Sequence, residues 1–395
     1  MKIVCPYCFN QFSPAEVLYR CTNTTANCPN EKDEAMDKFW GGRSVAYKKV
    51  LYPSKNLFGG MPKSAKCSCG HESHKTICPK CHNELPREMV EKGGVIISII
   101  GARSSGKTNY ITTLINELTH KGHSLNIGIY PTVVGREAKE QTEARYKDDF
   151  FNILYKNKRC PEQTDPNSER SKIPLIYKLF STKINKHAYL VLYDTAGENF
   201  EKIENIREKA IFLKNSDGII MLLDTFCIDD VRDRLKAKLK LGEKETEYNE
   251  IIRNIIAYFD EQPNKADYYK KPLALTFSKI DAIITNEEEF SDARLPNINM
   301  NANSEYLEGN GYNLSELASI DMGIKAGLES WGEKHFIDNI NAPGHFNGKA
   351  TFFGISALGN MPANDNTVKN IKPFRVLDPL IWILHCLDFP LPVKK

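Results

Sequence analysis

The sequence predicts an α/β protein: a mostly parallel sheet flanked by helices, preceded by a small cysteine-rich region. Three observations lead to this fold class. From Val95 onward, short apolar runs alternate with helical stretches, as in chains that wrap helices around parallel strands. A glycine-rich segment separates the first apolar run from its helix. Eight of the 11 cysteines precede residue 82, in a stretch with few periodic apolar residues.

Composition places the 395 residues among globular proteins, long enough for two or more domains. The formal net charge of +3 is too small to predict nucleic-acid or membrane binding by itself. No apolar run approaches the ~18–20 residues that cross a bilayer. The N-terminal MKIVCPYC also lacks a secretory h-region. We therefore expect a cytoplasmic protein without a membrane partner, whose oligomeric state the sequence leaves open.

The first region, residues 1–91, is predicted to need metal ions because it cannot build an ordinary core. Cys5-Pro-Tyr-Cys8 and Cys78-Pro-Lys-Cys81 are turns typical of zinc-ribbon knuckles, each offering two thiolates. Without a visible secretory signal, clustered cysteines favour zinc over disulfides. We predict two structural zinc sites. Their ligands are Cys5, Cys8, Cys21, Cys28, Cys67, Cys69, Cys78 and Cys81.

The pairing of these ligands stays open. In a sequential arrangement each knuckle holds its own ion, with two inner cysteines completing each set. In a nested arrangement the two knuckles share one ion and the four inner cysteines hold the other. Possible substitutes, more simply read as surface histidines, are His71, His74 and His82. Zinc ribbons often bind nucleic acid, and the region is locally basic, so nucleic acid is a possible partner. A protein-binding or structural role is the alternative.

The second region, 92–395, is predicted to be one domain entered through a linker at 84–94. Six apolar runs predict strands, most of them covered on both faces, at 95–100, 174–180, 188–194, 218–224, 273–279 and 350–356. The run 174–180 alternates more and suits an edge. Helices are predicted at 107–120, 136–156, 201–214, 229–240, 245–260, 314–331 and 377–387. Insertions are expected at about 121–172, which has room for an extra strand in 125–135, and at about 228–270 and 285–345.

The loop after the first strand has the pattern Gly-x-x-x-x-Gly-Lys-Thr, the phosphate-binding P-loop. Its glycines let backbone N–H groups turn toward phosphate oxygens at a helix N-terminus. Lys107 is expected to reach the β- and γ-phosphates, and the Thr108 hydroxyl to bind Mg²⁺. A glycine-rich turn without a ligand is the simpler alternative. The predicted contacts are Gly101, Ser104, Ser105, Gly106, Lys107, Thr108 and Asn109.

A second element follows the strand at 188–194. Asp194 at its end is a candidate second Mg²⁺ ligand. Gly197, three residues on, leaves a backbone N–H able to approach a γ-phosphate, so this turn can sense whether that phosphate is present. Alone, Asp-x-x-Gly is a weak signal and an ordinary turn is the alternative. After a P-loop it is much stronger.

Two further strand ends indicate the base. Ser278-Lys279-Ile280-Asp281 resembles the [Asn/Thr]-Lys-x-Asp motif of the Ras-like GTPases. The resemblance implies that Asp281 accepts hydrogen bonds from the guanine ring N–H and amine, while the Lys279 stem covers the base face. Adenine lacks that donor pair. Ser356-Ala357-Leu358 resembles the Ser-Ala-Lys loop of the same family, with Leu358 in place of the usual Lys.

With four elements in the family's order, residues 93–390 resemble the Ras-like (TRAFAC class) P-loop GTPases. The resemblance implies a Thr that closes over Mg²⁺ and the γ-phosphate just before the strand near Pro174. Thr164 fits that place best, Thr132 is the second candidate, and an ordinary loop Thr is the alternative for both. In the family a Gln commonly follows Asp-x-x-Gly, whereas this chain has Glu198.

Glu198 can accept a hydrogen bond from water, but it adds negative charge beside a negative transition state. We therefore expect slow hydrolysis unless a cation assists. Arg103 in the P-loop is a candidate built-in cation, and a solvated Arg is the alternative. The predicted catalytic residues are thus Lys107, Glu198, Arg103 and Thr164, with Mg²⁺ held by Thr108, Thr164 and Asp194.

The sequence predicts a GTP-binding switch that hydrolyses GTP to GDP and acts on a protein partner. Zinc ribbons joined to a Ras-like domain also resemble the predicted bacterial double-GTPase type proteins of conflict systems, which implies a role in antiviral defence. Two alternatives stay open. The P-loop domain binds ATP, or the chain is a zinc-ribbon nucleic-acid binder whose nucleotide domain regulates assembly.

Overall fold

The structure, a computed structural model, describes residues 2–42, 45–54, 60–101, 104–135, 138–162, 173–193, 203–209, 211–244, 247–292, 304–309 and 311–394. The cysteine-rich front is built from short antiparallel strands and two helices. Its strands are β1 (Ile3–Val4), β2 (Gln11–Phe12), β3 (Leu18–Arg20), β4 (Glu31–Lys32), β5 (Ala46–Tyr47), β6 (Val50–Leu51), β7 (Ala65–Lys66), β8 (Glu72–Ser73) and β9 (Lys75–Ile77). Its helices are α1 (Glu34–Trp40) and α2 (Arg87–Lys92). β3 pairs with both β6 and β9, which brings the middle and the end of the front together.

The remaining strands form one seven-stranded sheet. They are β10 (Ile96–Gly101), β11 (Ile127–Pro131), β12 (Leu175–Ser181), β13 (His187–Leu192), β14 (Gly218–Asp224), β15 (Leu273–Ser278) and β16 (Ala350–Gly354). Their order is β11-β12-β13-β10-β14-β15-β16, and the five strands from β13 to β16 run parallel. All residues of β10, β14 and β15 are buried, because helices cover both faces. The predicted α/β fold with a mostly parallel sheet is confirmed.

Helices surround this sheet. They are α3 (Lys107–Lys121), α4 (Thr142–Arg145), α5 (Ile203–Lys209), α6 (Ile211–Asn215), α7 (Asp229–Leu239), α8 (Tyr248–Asp260), α9 (Lys265–Tyr269), α10 (Asp281–Ile284), α11 (Leu314–Ser330), α12 (Lys334–Ile340) and α13 (Asp378–Cys386). A π-helical stretch, Tyr146–Lys156, continues α4. Every predicted helix has a counterpart, because each carried an apolar face at helical spacing. The extra strand expected within 125–135 is β11.

The expectation that 174–180 forms an edge strand is wrong. β12 lies between β13 and β11, which pairs with it antiparallel and takes the edge. A close contact allows this: a Cβ on Gly128 of β11 would lie 1.9 Å from the Phe180 ring, so only glycine fits there. The Tyr130 ring stacks on Phe180 beside it, at 5.2 Å between centroids.

The front packs directly on the sheet, and their apolar side chains share one core. Half of the predicted linker is the helix α2, with Met89 and Val90 buried. Near the first knuckle, the Tyr193 hydroxyl donates a hydrogen bond to the Pro6 carbonyl, and the Tyr193 and Phe9 rings lie 5.5 Å apart. Among the described residues, no helix has the length and apolar character needed to cross a membrane.

Candidate nucleotide and metal sites

The P-loop connects β10 to α3 with the backbone that the motif requires. Gly106, immediately before α3, has a left-handed φ of 76°, and Ser104 has a φ of 61°. Gly101 is needed for a different reason: a Cβ there would lie 2.5 Å from Ser105 Oγ and 3.1 Å from Leu222 Cβ. Arg103, the candidate cation of this loop, lies outside the described residues.

Polar groups at this helix start suit a phosphate. Ser105 is 1% exposed, and its hydroxyl has no hydrogen-bond partner among the described residues. Lys107 and Thr108 begin α3, with Lys107 buried and Thr108 half-buried. A 15-residue helix carries partial positive charge at its start. The loop therefore fits an anionic phosphate ligand.

Asn109, also in the first turn, contacts Cys160, which precedes the candidate Thr164 by four residues. Its Nδ2 donates to Cys160 Sγ at 3.7 Å, and the Cys160 N–H donates to the Asn366 carbonyl at 2.9 Å. The chain that follows the π-helical stretch thus lies between the P-loop helix and the loop beyond β16.

The γ-phosphate sensor falls largely outside the described part of the chain. Thr164, Asp194, Gly197 and Glu198 all lie there. Thr132 is described: its N–H donates to the Ile176 carbonyl at 2.9 Å, next to the edge strand β11. Two strands separate β11 from β10, which puts them about 14 Å apart at ~4.8 Å per strand. Thr132 therefore lies away from the P-loop strand, and the choice between Thr164 and Thr132 stays a prediction.

The candidate base site lies at the ends of β15 and β16. Lys279 follows β15 with a left-handed φ of 60°, and Asp281 is the first residue of α10. Asp281 is 4% exposed. Burial raises the pKa of its carboxyl above the usual range, although the Ser356 hydroxyl and the Lys279 ammonium act in the opposite direction. One strand, β14, separates β15 from β10, so base and phosphate loops are about 10 Å apart.

The loop after β16 is held by its own backbone. The Ser356 N–H donates to the Phe374 carbonyl at 3.0 Å, and Ser356 Oγ accepts from the Gly359 N–H at 2.7 Å. Ala357 is partly buried, and Leu358 packs with Leu154 and Val368. Leu358, which replaces the Lys of the resembled motif, therefore contributes apolar packing beneath the loop.

Sequence reasoning missed Asp224, the last residue of β14. Its Oδ2 lies 2.7 Å from Lys279 Nζ, and its Oδ1 accepts from the Phe226 N–H at 3.0 Å. Across the strand pair, the Ser278 hydroxyl donates to the Leu223 carbonyl at 3.2 Å. An acidic residue at the end of an apolar run could have marked Asp224 as a candidate. Which residue it contacts depends on the order of strands in the sheet, which places β15 beside β14.

The eight front cysteines form two clusters of four, in the nested arrangement. One contains Cys5, Cys8, Cys78 and Cys81, and the other contains Cys21, Cys28, Cys67 and Cys69. Neighbouring sulfurs within the clusters lie 3.5 to 3.9 Å apart. Zn–S bonds of ~2.3 Å in a tetrahedron separate the sulfurs by ~3.8 Å, so both clusters fit zinc.

The two knuckles are built alike. Cys5 and Cys78 each donate their N–H to an asparagine carbonyl, Asn10 and Asn83, at 3.0 and 2.9 Å. Phe9 and His82, which precede these two asparagines, both have a left-handed φ. Backbone N–H groups also donate to the thiols of Cys5 and Cys78, both at 3.4 Å. The repeated turn aims both pairs of sulfurs at one point.

The inner cluster has similar polar support. The Asn23 amide donates to Cys69 Sγ at 3.3 Å, and this bond, together with weaker ones that include the His71 backbone, lowers the pKa of the Cys69 thiol to about 6. The three histidines have other partners: His71 contacts the Thr22 hydroxyl, His74 the Lys63 carbonyl and His82 the Asp33 carboxylate. In the described part of the chain, none belongs to either cluster.

The chain matches the model of a known protein family. The model of the family described as "Double-GTPase 2" matches residues 95–327, more than half of the chain. Over its whole length the chain resembles a "Putative ESX-1 scaffolding and assembly protein SaeC" of Mycolicibacterium smegmatis. The two are 23% identical over 397 aligned positions, and the match covers 96% of this chain and 97% of that protein.

Solved GTPase structures are more distant. The Ski7 GTPase-like domain of S. cerevisiae, bound to GTP, has a TM-score of 0.34 and 11% identity over 75% of this chain. The elongation factor SelB of Methanococcus maripaludis, with a GTP analogue, has a TM-score of 0.27 and 12% identity over 75% of this chain. This chain spans 50% and 34% of those two chains. Both scores are low, and the fold follows from strand order instead.

Proposed function

This chain belongs to the Double-GTPase 2 family, and from that premise we propose that it is a molecular switch that binds GTP and hydrolyses it to GDP. The observation that carries the proposal is the base site. The buried Asp281 carboxyl lies beside Ser356 and Lys279. It follows β15, which only β14 separates from the P-loop strand β10. An ATP-binding P-loop has no need of a buried carboxylate there.

In this proposal Asp281 selects the base. Its ionised carboxylate accepts hydrogen bonds from the two N–H donors on one edge of guanine, and adenine offers no equivalent pair. A buried acceptor left without donors loses the free energy of those bonds, so discrimination is strong. The Lys279 stem covers one face of the base, and Ser278, Ala357 and Leu358 form the surrounding loops.

The P-loop residues bind the phosphates. Lys107 neutralises charge on the β- and γ-phosphates, and the N–H groups from Gly101 to Asn109 orient them. Bound Mg²⁺ supplies further charge neutralisation on the phosphate oxygens. Thr108, Thr164 and Asp194 are its proposed ligands. In the hydrolytic step Glu198 orients the attacking water and Arg103 offers a cation, so slow turnover is expected without a partner.

The proposed output runs through the front. The segments that contain Thr164 and Glu198 are bordered by Ile173 and Tyr193. Ile173 packs with Met36 and Trp40 of α1, while Tyr193 contacts the first knuckle. A change in either segment therefore begins next to residues 1–91, which we propose are a zinc-ribbon domain with two Zn²⁺ ions.

The partner in this proposal is a protein. SaeC is described as a scaffolding and assembly protein, and this chain resembles it over nearly its full length. We therefore place an assembly role ahead of the antiviral role and of nucleic-acid binding.

Titrations with mant-GTP and mant-ATP test the assignment. The wild-type chain should bind mant-GTP tightly and mant-ATP weakly, and Asp281→Ala should abolish the difference. Tight ATP binding with indifference to GTP would sink the proposal. Release of phosphate from GTP, measured in the same preparations, tests hydrolysis separately from binding.

A further inference from the structure

We propose that Asp224 is a positioning residue for guanine recognition, which acts by holding the Lys279 side chain in place beside the base site. The inference rests on the proposed function. Asp224 ends β14 and pairs in register with Ser278, the last residue of β15. Lys279 follows Ser278 directly, so the two strand ends bring the carboxylate and the lysine together.

The contacts fix both ends of the pair. Asp224 Oδ2 lies 2.7 Å from Lys279 Nζ, while Asp224 Oδ1 accepts from the Phe226 N–H at 3.0 Å. The Asp224 side chain is 7% exposed and that of Lys279 is 31% exposed. Because the carboxylate is anchored on one oxygen, the other oxygen points in a defined direction.

A second group holds the same ammonium. Lys279 Nζ lies 5.3 Å from the centre of the Phe226 ring, within range of a cation–π contact. The ammonium of Lys279 is therefore held by Asp224 and Phe226, and its backbone is fixed in a left-handed conformation. The four-carbon stem between these points has little freedom left.

Holding the Lys279 side chain in one conformation favours the binding of a planar base. A long lysine in solvent samples many rotamers, and covering a base face with its stem means losing them on binding. When the tip is already held by Asp224 and Phe226, that loss has occurred before the base arrives, and affinity rises.

The competing explanation is that Asp224 only caps the short helix Thr225–Cys227, whose first turn it closes. Substitutions separate the two roles. Asn and Ser are good capping residues and still accept from the Phe226 N–H, but neither carries charge. If capping were the whole role, Asp224→Asn and Asp224→Ser would behave like the wild-type chain.

The experiment is a double-mutant cycle on the full chain with mant-GDP as the probe. Asp224→Asn and Asp224→Ser are each measured with and without Lys279→Met, and thermal unfolding is recorded for every variant. We expect about five- to tenfold weaker mant-GDP binding for each single variant at Asp224, as for loss of a half-buried ion pair. In the Lys279→Met background the same substitutions should change affinity less than about twofold, because their target is gone.

Asp229→Asn is the matched control. Asp229 lies five residues after Asp224 and forms an ion pair with Lys244 in which its own carboxylate is exposed. Its substitution should leave mant-GDP affinity unchanged. A wild-type chain that binds no guanine nucleotide contradicts the proposed function itself. Normal wild-type binding with unaffected Asp224 variants, or an equal loss in the Lys279→Met background, overturns this inference alone. Failure of both Asp224 variants to fold also overturns it, since the carboxylate then serves the architecture.

Discussion

The hydroxyl of Tyr193 donates a hydrogen bond to the carbonyl oxygen of Pro6, inside the turn that presents Cys5 and Cys8. Tyr193 is the last described residue before Asp194, the proposed start of the γ-phosphate sensor. The first cysteine knuckle thus contacts the last described residue before the proposed sensor, although 187 residues separate the bonded pair. This bond and three other features lead to predictions.

Tyr193→Phe should lower the free energy of unfolding by about 1–2 kcal/mol, because the buried Pro6 carbonyl loses a donor. The ring contact with Phe9 is kept, so a small shift in packing is expected. Urea unfolding followed by fluorescence measures the change. Tyr52→Phe, at a side chain 75% exposed, is the control and should leave stability unaltered. Equal stability of both variants would show that the bond contributes nothing.

Zinc stoichiometry distinguishes nested from sequential pairing. Cys5→Ser and Cys78→Ser should each remove about one zinc per chain, and so should the double variant, because both thiols face one ion. Combining Cys5→Ser with Cys67→Ser should remove about two. Metal analysis of the purified variants gives the answer. Cys386→Ser, outside both clusters, should lose none, and additive losses for Cys5 and Cys78 would contradict the nested arrangement.

Gly101→Ala should strongly weaken nucleotide binding, because the added Cβ would lie 2.5 Å from the buried Ser105 hydroxyl. Overpacking of this kind costs about 1–3 kcal/mol and displaces the loop that holds the phosphates. Adding Ser105→Ala removes the clashing oxygen and should recover part of the mant-GDP affinity. Gly242→Ala meets nothing within 4 Å and serves as the control. Unchanged binding by Gly101→Ala would contradict the loop geometry.

Guanine affinity should fall as the pH drops, beginning at a higher pH than for an ordinary aspartate. Burial raises the pKa of Asp281, and only the ionised carboxylate accepts both donors of the base. The contribution of the same group to folding has the opposite sign. A raised pKa favours the protonated folded state, so that contribution to stability grows as the pH falls. Mant-GDP titrations across acidic pH check the first effect, and Asp281→Asn should remove this component.

Local patterns account for the parts of the fold that were predicted. Apolar runs of six or seven residues identified β10, β14 and β15, because strands buried on both faces need such runs. The P-loop and the base motif were readable since each places its residues within one strand–loop unit. The edge position of β12 was predicted wrongly because the place of the extra strand β11 in the sheet order depends on tertiary pairing, and β11 pairs outside β12.

The sequence by itself determined that this chain has a P-loop α/β domain, a guanine-type base motif and eight cysteines grouped for metal. Only the tertiary structure decided that Cys5 and Cys8 share a cluster with Cys78 and Cys81, and that Asp224 meets Lys279. The physical reason is range. Motifs and periodicity follow from neighbours in the chain, whereas these pairings depend on strand order and on chain closure over 70 or more residues in the front.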